Sequence, residues 1–368
     1  MSPSLRFPEF NGEWKEERLS EIADIYKGAG ISKDQLSDNG EPCILYGELY
    51  TKYKTETITE VISRTDIDNT KLVRSKANDV IIPCSGETAE DIATARCVIK
   101  DGILLGGDLN IIRLHNYDGS FVSYQLNGKR KYDIAKVAQG VSVVHLYGEH
   151  LKGVKTVNPC LAEQKKISRF LSLLDERIAV QSRLIDRLQS LMIGIAQKIA
   201  HSNKPNVRIS DCLECSSSAL QESEVNKTGK YPVYGANGIV GYIDKYHTQN
   251  EAIYIIKDGS GVGGVSYVTG KCSSTGTLNI LQAKNGHSLK YLYYLLKVFN
   301  FVPYKTGMAI PHIYFKDYGK AKIFCPAYPE QLEYAKLLSS IDGNLRIALD
   351  SLKNFNLQKQ YLLRHMLI

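Results

Sequence analysis

The sequence predicts an α+β chain. Two mixed α/β lobes are joined by two long helices, packed as an antiparallel coiled coil with pseudo-two-fold symmetry. Three observations carry this expectation. One motif occurs twice at a constant offset: GVSVVHLY from Gly140 returns as GMAIPHIY from Gly307, so that His145 recurs as His312, Tyr147 as Tyr314, Pro159 as Pro326, Glu163 as Glu330 and Gln164 as Gln331. Each copy leads into a sustained heptad seam, in residues 159–200 and 327–368. The residues before each seam, 1–158 and 201–326, alternate short apolar runs with Gly, Asn and Asp, which is strand-and-turn chemistry. Two lobe-plus-helix units hold two surfaces at a fixed separation.

In the first lobe, Trp14 to Tyr26 reads as strand or short helix, with Leu19, Ile22 and Ile25 turned inward. Apolar runs at Cys43–Tyr46, Val80–Ile82 and Asn110–Ile112 read as strands, and Phe121 to Val137 as a weaker helix. From 159 the pattern changes. Ile167, Leu171, Leu174, Ile178, Gln181, Ile185, Leu188, Met192, Ile195 and Ile199 step by four and three, a heptad seam whose one polar member is Gln181. Glu163 in the first turn suits the helix dipole. The second lobe has strand runs at Tyr231–Tyr234, Ala252–Ile256, Val265–Val268 and Leu278–Leu281. The lobes echo each other: Arg18-Leu19-Ser20-Glu21 resembles Arg208-Ile209-Ser210-Asp211, and Leu109-Asn110-Ile111 matches Leu278-Asn279-Ile280. Order is kept while the offset changes, so a shared scaffold carries loops of different length. Tyr334, Leu338, Ile341, Leu345, Ala348, Leu352 and Phe355 form the second seam; Lys359 interrupts it and Leu362 and Met366 resume.

The bulk numbers bound the class. At 368 residues the chain can hold two to three cores. Its 43% hydrophobic and 23% charged content are ordinary for a globular protein, and the net charge of +7 favours a polyanionic partner. No apolar run approaches the ~20 residues of a membrane span, and MSPSLRFPEF lacks a signal-peptide layout. A cytoplasmic location with no membrane partner is expected. The 8 cysteines then read as free thiols. Cys212 and Cys215 form a C-x-x-C without a second pair, so no structural metal is expected there.

Catalytic signatures are near misses. Gly259-Ser260-Gly261-Val262-Gly263-Gly264 fits G-x-G-x-x-G, but the strand run Val265–Val268 follows where a dinucleotide site needs a helix, so a glycine-rich hairpin is expected. No phosphate-binding G-x-x-x-x-G-K-[ST] occurs. Asn158-Pro159-Cys160-Leu161 lacks the second proline and aromatic of an amino-methyltransferase motif and reads as a helix start. His145 and His312 have no recurring nucleophile and carboxylate beside them, so the repeated His-[Leu/Ile]-Tyr is expected to pack lobe against helix.

A helix of about 38 residues is roughly 57 Å long, so antiparallel seams separate the lobes by several tens of ångströms and invert them. Such readers suit two half-sites on duplex DNA. Basic and aromatic turn residues support that reading. In the first lobe the candidates are Lys52, Tyr53, Lys54, Lys129, Arg130 and Lys131; in the second they are Tyr234, Asn237, Lys257, Ser260 and Lys305. Lys and Arg grip phosphate, while Asn237 and Ser260 are candidates for base edges. Arg169, Arg177, Arg183 and Lys336, on outer helix faces, are candidates for protein partners. The competing reading is a two-lobed coiled-coil adaptor that binds proteins only.

The opening Leu5-Arg6-Phe7-Pro8-Glu9-Phe10-Asn11-Gly12-Glu13-Trp14, the runs ending His145-Leu146-Tyr147 and His312-Ile313-Tyr314, the two Pro-x-x-x-Glu-Gln helix starts and Tyr231–Gly238 together resemble the specificity subunits of type I restriction-modification systems. The resemblance covers essentially the whole chain. It implies two target recognition domains, 1–158 and 201–326, each reading one half of a split site on double-stranded DNA. It also implies spacer helices, 159–200 and 327–368, that set the gap and dock methyltransferase (modification) subunits. Motor/endonuclease (restriction) subunits join the complex. S-adenosylmethionine, ATP and Mg are then expected on partner subunits, and no catalytic site or cofactor in this chain. Gln358 and Lys359 depart from the seam, so the last turns of the second helix are expected to fray or meet a partner.

Overall fold

The computed structural model describes residues 2–68, 70–140 and 143–367. Val141 and Ser142 of the first repeated run lie outside the described residues. Internal contacts divide the chain into two compact units, 1–182 with 351–368, and 183–350.

In the first unit, strand Lys15–Arg18 passes into a one-turn helix, Leu19–Ile22, and then strand Ala23–Lys27. Leu19 and Ile22 are buried, as their apolar character demands. Ala23–Lys27 opens a sheet that continues antiparallel through Leu109–Leu114, Asp79–Pro83 and Arg96–Val98 and ends on Thr57–Ile58, which runs parallel to Arg96–Val98. Ile81, Ile82, Ile111 and Ile112 fill both faces of its centre. A second sheet pairs Ser63–Thr65, Glu41–Ile44, Leu104–Leu105 and Val73–Arg74. Helix Gly119–Asn127 covers the first sheet and is capped by Asp118, whose carboxylate accepts from the Phe121 N–H at 2.8 Å. The helical pattern expected over 121–137 is thus two helices, Gly119–Asn127 and Lys131–Val137, broken at Gly128.

The second unit repeats the plan. Strand Val207–Arg208, one-turn helix Ile209–Cys212 and strand Leu213–Ser217 lead into an antiparallel sheet through Leu278–Ala283, Glu251–Ile256 and Val265–Thr269. The glycine run is a hairpin turn, since Ile255 pairs with Val265 across it. Helix Leu289–Val298 is capped by Ser288 and covers this sheet. Its Tyr-Leu-Tyr-Tyr-Leu-Leu run, equally suited to a strand, hid it from the sequence reading.

The long helices run Leu161–Ala200 and Tyr328–Met366. Every seam position named above is buried or half-buried. Within the first unit the Arg177 guanidinium lies over Phe355 at 5.0 Å, and Asp175 meets Lys359 at 2.7 Å. Residue numbers fall on one helix as they rise on the other, so the pairing is antiparallel. Within the second unit Met192 and Ala196 line a small cavity with Leu345.

The repeated glutamines explain the repeated helix start. Gln164 Oε1 accepts from the Asp118 N–H at 2.9 Å, and its Nε2 donates to Pro159 O at 2.9 Å. Gln331 does the same with Ser288 N–H and Pro326 O, at 2.8 Å each. Both side chains are buried and tie the cap of the lobe's covering helix to the first turn of the long one.

Two expectations are corrected. The end of the second helix does not fray: Leu362, Met366 and Leu367 are buried in the first unit's core, and Lys359 stays in the seam because two carboxylates receive it. The repeated histidines do not pack on the helices. His145 is exposed and stacks on Tyr147, while His312 Nδ1 lies 2.6 Å from Asp258 Oδ1. The buried members of the motif are Leu146 and Ile313.

Candidate nucleic-acid interface

In the first lobe, short helix Glu48–Thr51 carries the Lys52–Lys54 turn. Exposed Lys52 Nζ donates to Glu48 Oε1 at 2.6 Å and to Ser63 Oγ at 3.0 Å, and Ser63 also donates to Glu48. Lys54 Nζ is exposed and donates to Thr51 O at 3.1 Å. Lys33, Glu48, Thr51 and Lys52 line a cavity of about 680 Å³ with Asp108 on its rim. Tyr53 does not belong on this surface. It is 7% exposed, it packs with Ile44, Leu49 and Ile58, and burial pushes its hydroxyl up to about 12. Lys52 caps the helix in αR conformation and the Tyr53 N–H donates to Glu48 O at 3.0 Å, so the chain curls back at the helix end, with Tyr53 buried between two exposed lysines.

Sequence reasoning missed Arg96. Its buried guanidinium donates to Leu49 O at 3.1 Å and to Tyr53 O at 3.0 Å, fixing the backbone under both lysines. Burial lowers its pKa against the raising influence of Glu56 and Asp175. Nothing in the local pattern around Arg96 distinguishes it from a surface arginine.

Lys129, Arg130 and Lys131 cluster at the start of helix Lys131–Val137. Lys129 is exposed, whereas Arg130 and Lys131 are half-buried. Arg130 Nη1 lies 3.4 Å from Asp133 Oδ2. Tyr132 beside them is exposed, with Lys136 Nζ over its ring at 4.5 Å.

In the second lobe, Tyr234 lies in strand Tyr231–Gly235, half-buried and edge-on to Tyr254 at 5.8 Å. Its ring therefore serves the core more than the surface. Asn237 sits exposed at the tip of the hairpin that pairs Gly235 with Gly238. Gly238 takes φ +104°, a backbone region open to glycine, which makes Asn-Gly a hairpin signal.

Lys257 and Ser260 lie on a turn that is bonded to the loop following Lys305. Lys257 ends the strand Glu251–Ile256 and its carbonyl accepts from the Ile313 N–H at 2.9 Å. Gly259 N–H donates to Pro311 O at 3.0 Å, and Asp258 pairs with His312. These bonds join the turn bearing Ser260 to the loop that follows Lys305, which closes on itself through Thr306 and His312. The first lobe has the same joint: Leu146 N–H donates to Cys84 O at 2.7 Å, and His145 pairs with Ser85 and Gln139. Its tip in the second lobe is exposed and apolar, with Met308 and Ile310 outward.

Arg169, Arg177, Arg183 and Lys336 are all exposed on the long helices. Arg169 Nη1 lies 3.7 Å from Glu176. Leu173 and Val180 in the first unit, and Leu184 and Leu191 in the second, leave apolar surface exposed at heptad spacing. No helix among the described residues is long and apolar enough to cross a membrane.

A strand-rich lobe seated on a long helix, built twice on one scaffold with unlike loops, defines a tandem-domain recognition protein. The chain belongs to the type I restriction modification DNA specificity domain family, whose model matches residues 11–190 and 202–354. Among curated relatives, it is 25% identical over 123 residues to a type I restriction enzyme specificity subunit of Haemophilus influenzae, S.HindORF215P, covering 33% of this chain and 32% of that one. It is 25% identical over 112 residues to the EcoprrI specificity subunit of Escherichia coli, covering 30% of this chain and 28% of that one. The matched stretches thus span about a third of those relatives. In fold, the chain is similar to the S subunit of a type I restriction-modification system from M. genitalium, with TM-score 0.73, 19% identity and 100% and 99% of the two chains covered. It is also similar to a chain of a type I R-M system solved in a study of complex assembly and conformational transition, with TM-score 0.53, 14% identity and 96% and 97% covered.

Proposed function

We propose that this chain is the non-catalytic specificity subunit of a cytoplasmic type I restriction-modification complex. Target recognition domains 1–158 and 201–326 each read one half of a bipartite site in double-stranded DNA. The helices 159–200 and 327–368 set the gap and dock modification subunits, with restriction subunits joining the assembly. S-adenosylmethionine, ATP and Mg act on those partners.

One observation carries the reading: the family matches both halves of the chain, and the halves keep one scaffold while their exposed loops differ in sequence and charge. A shared scaffold with divergent loops suits two readers of different sequences. Lys52, Lys54, Lys129, Arg130 and Lys131 grip phosphate in the first half-site. Lys257 and Lys305 do so in the second, with Asn237 and Ser260 toward base edges and Tyr234 buttressing the Asn237 hairpin. A modification subunit binds exposed Leu173, Val180, Leu184 and Leu191 on the first long helix, with Arg169, Arg177 and Arg183 on that helix and Lys336 on the second supplying charged contacts.

Mapping methylated adenines in the host genome with and without this gene tests the proposal. A split motif that disappears with the gene is expected. An unchanged methylation map, with the chain recovered on protein partners alone, would favour the adaptor instead.

A further inference from the structure

The base of the second lobe holds a constellation that its reading role does not use. Cys212 closes the one-turn helix Ile209–Cys212, His287 precedes the cap of helix Leu289–Val298, and Cys325 follows strand Lys322–Ile323. The two sulfurs and an imidazole nitrogen lie within 4.8 Å of one another. Cys212 and Cys325 are buried and His287 is half-buried. Cys325 Sγ is 3.6 Å from His287 Nδ1. Tetrahedral zinc with Zn–S about 2.3 Å and Zn–N about 2.0 Å places sulfur and nitrogen about 3.5 Å apart. The ligand set suits zinc, the Cys325–His287 spacing is close to this value, and the whole cluster falls within 4.8 Å.

The first lobe supplies an independent comparison. The positions equivalent to Cys212, His287 and Cys325 are Ile22, Tyr117 and Asn158, set by the repeated one-turn helix, helix cap and Pro-x-x-x-Glu-Gln start. There Tyr117 Oη donates to Glu17 Oε1 at 2.9 Å, and Asn158 Nδ2 donates to Glu17 Oε2 at 3.0 Å. A carboxylate clasps the loop before the covering helix to the segment entering the long helix. In the second lobe Val207 stands where Glu17 would be, so that clasp is missing and the two thiols and the imidazole occupy its place.

We propose that Cys212, His287 and Cys325 bind one zinc ion, which clasps the second lobe's entry, its covering helix and the start of the second long helix where the first lobe uses Glu17. Two thiolates and a neutral imidazole leave one tetrahedral position for water. Thiolates release their protons to solvent on binding. None of the three ligands belongs to the Asn237 or Ser260 turns, and the proposed role of the ion is structural.

Elemental analysis of the full-length chain, purified under reducing conditions with one equivalent of Zn²⁺ and then desalted, tests this directly. One zinc per chain is expected. Cys212→Ala with Cys325→Ala should abolish it, and Cys160→Ala with Cys215→Ala should retain it. Should the first double variant fail to fold, wild-type protein loaded with Co²⁺ must show thiolate-to-cobalt charge transfer, and X-ray absorption of the zinc form must show two sulfur neighbours and at least one nitrogen. Absence of stoichiometric metal in the wild type, zinc retained without both cysteines, or a Cys212–Cys325 disulfide in place of metal would each overturn the site.

Discussion

Lys359 Nζ lies 2.7 Å from Asp175 Oδ1 and, at the same time, 2.7 Å from Glu56 Oε2. One cation on the second long helix thus bridges a carboxylate on the first helix and another on the lobe, all within one unit. Tyr124 Oη adds a bond of 2.6 Å to Asp175. Removing one partner of a buried ion network strands the others and costs about 3–5 kcal/mol. Lys359→Met should therefore destabilise the protein by that order in denaturant unfolding, although methionine fits a heptad seam better than lysine. A variant as stable as the wild type would show that the carboxylates do not depend on Lys359.

The same network sets a pH dependence. Burial raises the Glu56 carboxyl above its ordinary 4.5, with Lys359 pulling it back and Asp175 pushing it further up. The folded state therefore holds a proton that the unfolded state releases, so stability falls as pH rises from the ordinary carboxylate range through the raised one. Without Lys359 the raise is larger. The stability deficit of Lys359→Met should be greatest at neutral pH and shrink on acidification. A deficit independent of pH across the carboxylate range would remove Glu56 from the account.

Gln331 gives a more local prediction. Replacing it with leucine leaves the Ser288 N–H and the Pro326 carbonyl without their bonds. Each buried group left unsatisfied costs about 1–3 kcal/mol. Gln331→Leu should lower stability by roughly 2–4 kcal/mol and speed hydrogen exchange in the first turn of Leu289–Val298. Gln164→Leu should do the same at Gly119–Asn127. Loss of stability without faster exchange at either helix start would place the role of the glutamines elsewhere.

Much of this was legible in the chain. Heptad stepping is a one-dimensional pattern, so both long helices followed from sequence, and the constant offset showed that Gln164 and Gln331 share a task without saying what the task is. The short apolar runs became strands because turn residues bounded them. Illegible features depend on tertiary placement. Arg96 needs the backbone of Leu49 and Tyr53 above it, Lys359 needs two carboxylates distant in sequence, and Cys212 meets Cys325 only once the strand pair Val207–Arg208 and Lys322–Ile323 closes. Tyr53 and Tyr234 misled because composition beside lysine or asparagine cannot tell an inward ring from an outward one.

That distinction makes the DNA reading testable residue by residue. Each phosphate contact contributes about 0.9 to the slope of log affinity against log salt. Lys129→Ala with Lys131→Ala, in the assembled complex, should weaken binding across sequences and reduce the slope by roughly 2. Tyr53→Phe removes only a buried hydroxyl and should leave the slope unchanged. If Tyr53→Phe lowered the slope and the lysine variants did not, the first lobe would contact DNA through a different face.

The spacing role of the helices can be separated from the reading role of the lobes. A heptad inserted into each long helix keeps the seam nearly in phase, because seven residues fall only about 20° short of two full turns. It lengthens each helix by about 10.5 Å, or about three base-pair rises of 3.4 Å. Suitable positions are 182/183 and 350/351, where each helix passes from one compact unit to the other. Methylation mapping with this double insertion should return the same two half-sites, separated by about three more base pairs. A four-residue insertion would lengthen the helices less, by about 6 Å, but would also turn the seam out of phase and should cost stability. Altered half-sites at an unchanged gap would mean that the helices do not measure the DNA.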